Sequence, residues 1–282
     1  MAKVLQFPTD IDLSVLRKAL WDHRISHHYR RDDNEQLIFL MDDSQLDQAV
    51  TLTEQFRNND ALTLSPDTDH PRTSSAGSLR HALAAAPLTS GCIVLCALVY
   101  LLMNVVGVEV VTRLTIVPMM LTSVGLQAGT LGQALTAGEF WRLLTPVFLH
   151  FGWMHLVFNM VWLWYFGRQI EQLQGQWRWL LIVILTGIGS NLAQYAMGTL
   201  LFGGMSGVIY ALVGYVWLWS REKDSGFNVP TALVVFMVGW MVLCMTPLSA
   251  AVGFPNVANE AHLAGMLGGL ILGKLTLLLH RR

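Results

Sequence analysis

The sequence predicts a mainly α-helical membrane protein, a polytopic bundle of six transmembrane helices behind a small N-terminal α+β domain. Three observations predict it. Hydrophobic residues make up 53% of the 282 and charged residues only 13%, with a mean hydropathy of +0.46, whereas soluble domains carry about a quarter charged residues. Thirteen of the nineteen acidic residues fall within residues 1–69, so one end is polar and the remainder is not. Six apolar segments follow that end, most of them reaching the length of about 20 residues that a bilayer core requires.

Residues 1–64 read as the soluble domain. Leu13, Leu16, Leu20 and Trp21 recur at helical spacing, and residues 25–30 and 36–41 read as short strands around a polar turn at 31–35. A second helix is expected from a cap at Asp43 or Ser44, carrying Leu46, Val50 and Phe56. No apolar leader opens the chain, since Lys3 is followed by mixed polar sequence with Asp10 and Asp12. Residues 65–88 form the linker; Pro66, Pro71 and Gly77 stand there among serines and threonines without periodic apolar residues. Cys92, Cys96 and Cys244 all sit in apolar runs and fit neither a disulfide framework nor a C-x-x-C site, so they read as buried small hydrophobes.

The membrane domain covers 89–282, with spans expected at about 91–111, 146–166, 179–197, 206–219, 229–244 and 261–279. The fourth is short, which suggests that it begins below the membrane surface after a loop that enters the protein. Basic residues set the orientation. Arg72, Arg80, Arg168, Arg178, Arg221, Lys223, Arg281 and Arg282 share one side, against Arg113 and Arg142 on the other. Both termini are therefore expected in the cytoplasm. The connection 112–145 carries almost no charge, so it is expected to pack on the bundle within the outer leaflet.

Polar residues inside spans are costly and therefore informative. His155 and Asn159 lie four apart on one face of the second span, with His150 just before. The fourth span opens with Gly203-Gly204-Met205-Ser206-Gly207, and Ser206, Tyr210 and Gly214 line one side of it. In the sixth, Ala261, Gly265, Gly269 and Gly273 form a small-residue stripe of the kind that lets helices approach closely in lipid. If the two faces meet, His262 reaches Ser206 and Tyr210 packs on the imidazole.

A serine hydroxyl is a weak nucleophile until an adjacent base takes its proton, and histidine suits that task. Glycines around Ser206 allow a sharp turn and a close substrate backbone, and a helix starting there presents free N–H groups to an oxyanion. His155 and Asn159 add side-chain donors. Glu260, two residues before His262, points away on a helix, so a dyad is expected rather than a triad. Each feature also has a plainer reading: glycine–serine runs and intramembrane histidines pack helices, and a glycine stripe also suits a transporter. His150 and His155 lack the carboxylate and the spacing of a zinc site.

Several pieces carry a resemblance: Gly204-Met205-Ser206-Gly207 leading the fourth span, Ala261-His262 with Gly265 in the sixth, and His150-Phe151-Gly152-Trp153-Met154-His155 followed by Asn159. Trp141-Arg142 in the outer connection and Gly167-Arg168-Gln169-Ile170-Glu171 after the second span belong with them. On these residues the sequence resembles the rhomboid family in its bacterial form, over the whole membrane domain and in the order soluble domain, linker, six spans. The resemblance implies an intramembrane serine endopeptidase in the bacterial inner membrane, with Ser206 as nucleophile and His262 as general base. His155, Asn159 and the Ser206 backbone N–H would form the oxyanion hole. Tyr210, Gly204 and His150 would support the site, while Trp141, Arg142, Glu171 and Gly265 would be structural. It also implies single-span membrane proteins as substrates within the lipid bilayer, no metal or organic cofactor, and no nucleic acid. Relatives commonly carry a small residue where Glu260 stands. The fifth span and the connection 243–259 are candidates for a moving gate. Two other classes compete: a non-catalytic rhomboid-like protein that binds membrane helices, and a transporter.

Overall fold

A computed structural model describes residues 4–23, 25–32, 35–62, 83–223, 225–251 and 257–280. Most of the expected linker (65–82), the basic residues Arg72, Arg80, Arg281 and Arg282, and 252–256 of the candidate gate lie outside the described residues. The chain divides into two compact units, Met1–Ser75 and Ala76–Arg282.

In the first unit, β1 (Val4–Phe7), β2 (His27–Arg31) and β3 (Gln36–Leu40) form an antiparallel sheet in the order β1-β3-β2, with Val4 opposite Phe39 and His27 opposite Leu40. The sequence reading found β2 and β3 but not β1, whose four residues are too few to show alternation. Helices α1 (Ser14–Asp22) and α2 (Leu46–Arg57) complete a core of Leu13, Leu16, Leu20, Ile25, Ile38, Ala49 and Leu52. Trp21 is not part of it; it lies exposed, with its ring against His27. On α2 the buried face runs through Ala49, Leu52 and Thr53, with Leu46 and Phe56 at its margin, rather than through Val50. The expected cap is also displaced. Asp42 accepts the N–H and O–H of Ser44, at 2.9 and 2.7 Å, and a single tight turn over Asp43–Gln45 leads into the helix.

The second unit is mainly helical. Helix α3 (Pro87–Val105) starts at a proline in its first turn, where the missing N–H costs nothing. Its next donors are satisfied from far along the chain: Glu171 accepts the N–H of Leu88 at 2.7 Å, and the N–H and O–H of Thr89 at 2.8 and 2.7 Å. A carboxylate here complements the positive end of the helix dipole. Replacing Glu171 by alanine strands two amides at a buried helix start and is expected to cost about 3 kcal/mol, read as an earlier thermal unfolding transition in detergent. Glu171→Gln, which keeps one acceptor oxygen, should lose less.

Chain direction breaks at Gly107, and the short helix α4 (Val108–Leu114) opens the outer connection. That connection is ordered structure: a hairpin of β4 (Met119–Thr122) with β5 (Gly125–Ala128), then helix α5 (Leu131–Thr136) closed by a reciprocal cap between Thr130 and Gln133. Its large side chains Met120, Leu121, Val124 and Phe140 are exposed. Arg142, 5% exposed, pins it from beneath. Its Nη1 donates to the carbonyls of Thr112 and Thr115 at 2.9 Å each, and its Nε to Glu139 at 2.6 Å.

The second span is shorter than expected. The α-helix starts only at α6 (Trp153–Trp162) and continues through a wide turn over Leu163–Gly167 into α7 (Arg168–Gln174); ahead of it Thr145–Phe148 make a single tight 3-10 turn and 149–152 are not helical. Gly152, extended at φ 170° and ψ 149°, explains the late start, since it breaks the helical path between that turn and α6. There follow α8 (Gln176–Ala196), α9 (Ser206–Trp219), α10 (Thr231–Cys244), the short α11 (Leu248–Ala251) and α12 (Asn259–His280). Helices α3, α8 and α12 are each long and apolar enough to cross a bilayer, and α9 and α10 are shorter apolar helices.

Helix α9 is buried almost all round, with α8 and α12 against it. The outward face of α12 carries Leu263, Leu267, Ile271, Leu275 and Leu279 at four-residue spacing, all exposed. Apolar side chains outside and Arg142, Glu171, Asn191, Gln194 and His262 inside invert the soluble pattern, as lipid surroundings favour. This is an integral membrane protein.

Candidate active site

Two small-residue surfaces bring α9 and α12 together. A Cβ on Gly265 would land on the carbonyl oxygen of Gly207, and one on Gly269 on that of Ala211; Gly273 lies over Tyr215. The α12 stripe therefore meets Gly207, Ala211 and Tyr215 of α9, one residue round from the expected Ser206–Tyr210–Gly214 face, with Gly214 turned to Met266 and Leu270. The shift matters chemically. Because Gly207 takes the contact, Ser206 stands beside the seam rather than inside it.

There Ser206 Oγ lies 2.7 Å from His262 Nε2. For the hydroxyl to donate, Nε2 must hold the lone pair and Nδ1 the proton. Nδ1 is buried and has no hydrogen-bond partner among the described residues. The Tyr210 ring packs on the imidazole, with centroids 4.7 Å apart and planes at 42°, and its hydroxyl donates to the carbonyl of Met237 on α10 at 3.2 Å. The imidazole is thus held from the side by a ring that is itself tied to a third helix.

The Gly203–Gly204 segment leads into Ser206. Gly204 has φ +121°, a conformation that favours glycine, and its N–H donates to the carbonyl of Pro146 at 3.1 Å. A Cβ there would come within 2.7 Å of His155 Cε1 and Nε2 and 3.8 Å of Ser206 Oγ. The bare backbone thus lets the His155 ring reach the start of α9. Gly207 serves packing instead of substrate approach, since its Cβ position falls 2.7 Å from Ser190 Cβ.

Asn159, one turn along α6, donates Nδ2 to the carbonyl of His155 at 2.7 Å, which leaves its second N–H for other use. His150 lies outside the helix, its Nδ1 3.1 Å from the Phe148 carbonyl and its ring 5.1 Å from that of His155. Among the described residues, no group of three or more His, Cys, Asp or Glu side chains is placed to hold a metal ion.

A hydroxyl facing an imidazole, beside the unpaired first-turn N–H groups of a helix, suits acyl transfer. Residues 137–279 match the model of the Rhomboid domain. The chain is 31% identical over 273 residues to rhomboid protease GlpG of Yersinia pestis (strain Pestoides F), covering 91% of each chain. The same identity and coverage hold for rhomboid protease GlpG of Yersinia pseudotuberculosis (serotype O:3, strain YPIII) and of Yersinia enterocolitica (serotype O:8).

The chain belongs to the rhomboid family.

It is a serine protease, a hydrolase of the GlpG type. The remaining residues singled out in this rhomboid's sequence sit at the periphery of the pair. Trp141 is half-exposed on the outer connection, with Nε1 3.4 Å from the Arg113 carbonyl. Arg142 and Glu171 anchor backbone as described, and Gly265 lies in the α9–α12 seam. Cys92, Cys96 and Cys244 are free thiols, the latter two buried.

The sequence reading assigned nothing to α8, yet that helix turns Thr186, Ser190, Asn191 and Gln194 inward, all buried. Asn191 donates to the Leu143 carbonyl at 2.9 Å, and Gln194 accepts the N–H of Ala261 at 3.1 Å. The signal was available: Ser190 and Gln194 are polar, intramembrane and four apart, as are His155 and Asn159. Asn259, at the start of α12, donates to the Cys244 carbonyl at 2.9 Å and so joins it to the end of α10.

Proposed function

We propose that this rhomboid is an intramembrane endopeptidase in which Ser206 is the nucleophile and His262 the general base of a Ser-His dyad. The 2.7 Å contact between Oγ and Nε2 carries this reading. Ser206 Oγ attacks the scissile carbonyl while His262 Nε2 accepts its proton, then gives that proton to the leaving amine. Water next attacks the acyl-enzyme carbonyl, losing a proton to Nε2, and Ser206 is released with the proton returned. The Ser206 N–H, His155 and an Asn159 N–H stabilise the oxyanion, each such donor contributing about 3 kcal/mol. His150 and Gly204 support His155, and Tyr210 holds the His262 ring.

The substrates are single-span membrane proteins whose helix unwinds locally, since a helical peptide bond is shielded from attack. The chemistry uses no metal or organic cofactor. We place the protein in the bacterial inner membrane with six spans, the sixfold count taking 153–174 as one continuous helix and α9 and α10 as short spans. Both termini lie in the cytoplasm, following the basic residues at the helix ends. Residues 1–64 form a cytoplasmic domain, 65–88 the linker and 89–282 the protease domain.

The test is covalent labelling of the purified protein in detergent with a fluorophosphonate, followed by peptide mapping. Label on Ser206, absent from Ser206→Ala and suppressed in His262→Ala, is expected. Label on another serine, or Ser206→Ala cleaving a single-span reporter at the wild-type rate, would remove Ser206 from the reaction.

A further inference from the structure

Helix α8 contributes no atom to the Ser206–His262 pair, but it touches the chain neighbour of each. Ser190 lies against Gly207, the residue after Ser206, and Gln194 one turn later holds Ala261, the residue before His262. We propose that Gln194 is a positioning residue that sets His262 for proton transfer by fixing the first turn of α12, an inference that rests on reading His262 as the general base.

The first N–H groups of a helix have no partner within it. In α12 the Ala261 N–H is met by Gln194 Oε1 at 3.1 Å, across 67 residues of sequence. The amide is itself oriented, because Gln194 Nε2 donates to Thr199 Oγ1 at 3.2 Å. That fixes which end of the amide faces α12. Gln194 is 2% exposed, so water offers little substitute for the lost acceptor.

The same start is held from the other side by Asn259 on the Cys244 carbonyl, and the His262 N–H continues the turn to Ala258 at 3.2 Å. Releasing Ala261 lets the first turn of α12 move relative to α9. The contact that must then fail is the 2.7 Å one from Ser206 Oγ to His262 Nε2. Helix α8 thus acts as a ruler between nucleophile and base, with Ser190 against one strand of the seam and Gln194 on the other.

The test compares Gln194→Met, which keeps length but removes the acceptor, with Gln194→Glu, which keeps an acceptor suited to the positive end of a helix. Full-length protein in detergent is assayed on a single-span reporter, with fluorophosphonate labelling of Ser206 alongside. Q194M is expected to lower kcat about tenfold to a hundredfold with KM within about twofold of wild type, and to slow labelling in parallel. Q194E should restore most of the lost rate. Thr199→Val, at an exposed position, should lower kcat less than Q194M does.

Wild-type kcat in Q194M, or equal losses in Q194M and Q194E, would overturn the assignment. If Q194M does not fold, wild-type kcat in Thr199→Val overturns it instead. His262→Ala run in parallel separates the two readings. Full activity there removes the general base itself, whereas an inactive His262→Ala beside an unaffected Q194M removes only the role of Gln194.

Discussion

Ser206→Ala, His262→Ala and the double variant are expected to hydrolyse a single-span reporter at one shared residual rate, about 10³-fold or more below wild type. Groups that act as a unit are not additive. Without its base the serine hydroxyl is a poor nucleophile, and without the serine the base has nothing to activate. Oγ and Nε2 lie 2.7 Å apart, and Nδ1 has no hydrogen-bond partner among the described residues to complete a triad. Folding should survive all three changes, because the α9–α12 seam runs through Gly207, Ala211 and the glycines of α12 rather than through the pair. Thermal unfolding near the wild-type temperature would support this. Initial rates over a long incubation, with matched protein amounts, decide the main point. A double variant far slower than either single one would mean that the two residues act separately.

The bilayer made much of the fold legible. A span must be apolar over its length, so 206–219 matched α9 at both ends and 261–279 fell within α12. The second expected span failed at its N-terminal end for a physical reason. Apolarity marks what is buried in membrane or protein, not what is α-helical, and in this stretch Pro146 and Leu149 pack against Gly203. In the soluble unit the four-residue β1 and the tight turn before α2 carried signals too short to read. Residues 112–145 are too apolar for a free loop, and they fold into short helices and a hairpin. That hairpin is not legible, since Met119–Thr122, although bounded by Pro118 and Ser123, does not alternate apolar and polar residues as a strand does.

The candidate site divides along a similar line. Ser206, His262, His155, Asn159 and Tyr210 stand out in the sequence because they are polar groups, or partners of polar groups, at the ends of apolar segments. The geometry brings Ser206, His262, Tyr210, Gly204 and His155 into one neighbourhood. The buried face of α8 was overlooked although it obeys the same rule. Its residues act on backbone amides and carbonyls of other elements, and sequence carries no mark of which backbone group a glutamine will meet. The register of the seam was off by one residue for a related reason. Gly207, Ala211 and Gly214 are all small, and only the approach of carbonyl oxygens to Gly265 and Gly269 decides which face is inside.

Those approaches give the second large effect. Gly265→Ala and Gly269→Ala are each expected to destabilise the protein by about 3 kcal/mol or more, although alanine is normally the better helix former. The added methyl meets a backbone carbonyl oxygen in both cases, that of Gly207 and that of Ala211, and a carbonyl inside a helix cannot swing aside as a side chain can. Either the helices part or the variant does not fold. Gly268→Ala is the control on the same helix, since its methyl would sit 3.5 Å from Thr186 Cγ2 in ordinary contact, and it should unfold like wild type. The two glycines should differ in activity. Gly265 faces the residue next to Ser206, so parting the helices there lengthens the Oγ–Nε2 contact directly, whereas Gly269 acts one turn deeper. Activity per folded molecule should therefore fall further in Gly265→Ala, measured as reporter hydrolysis normalised to the folded fraction at a temperature below both transitions. Wild-type stability in either variant would show that α9 and α12 are not held at carbonyl distance, and the placement of His262 against Ser206 would then need another cause.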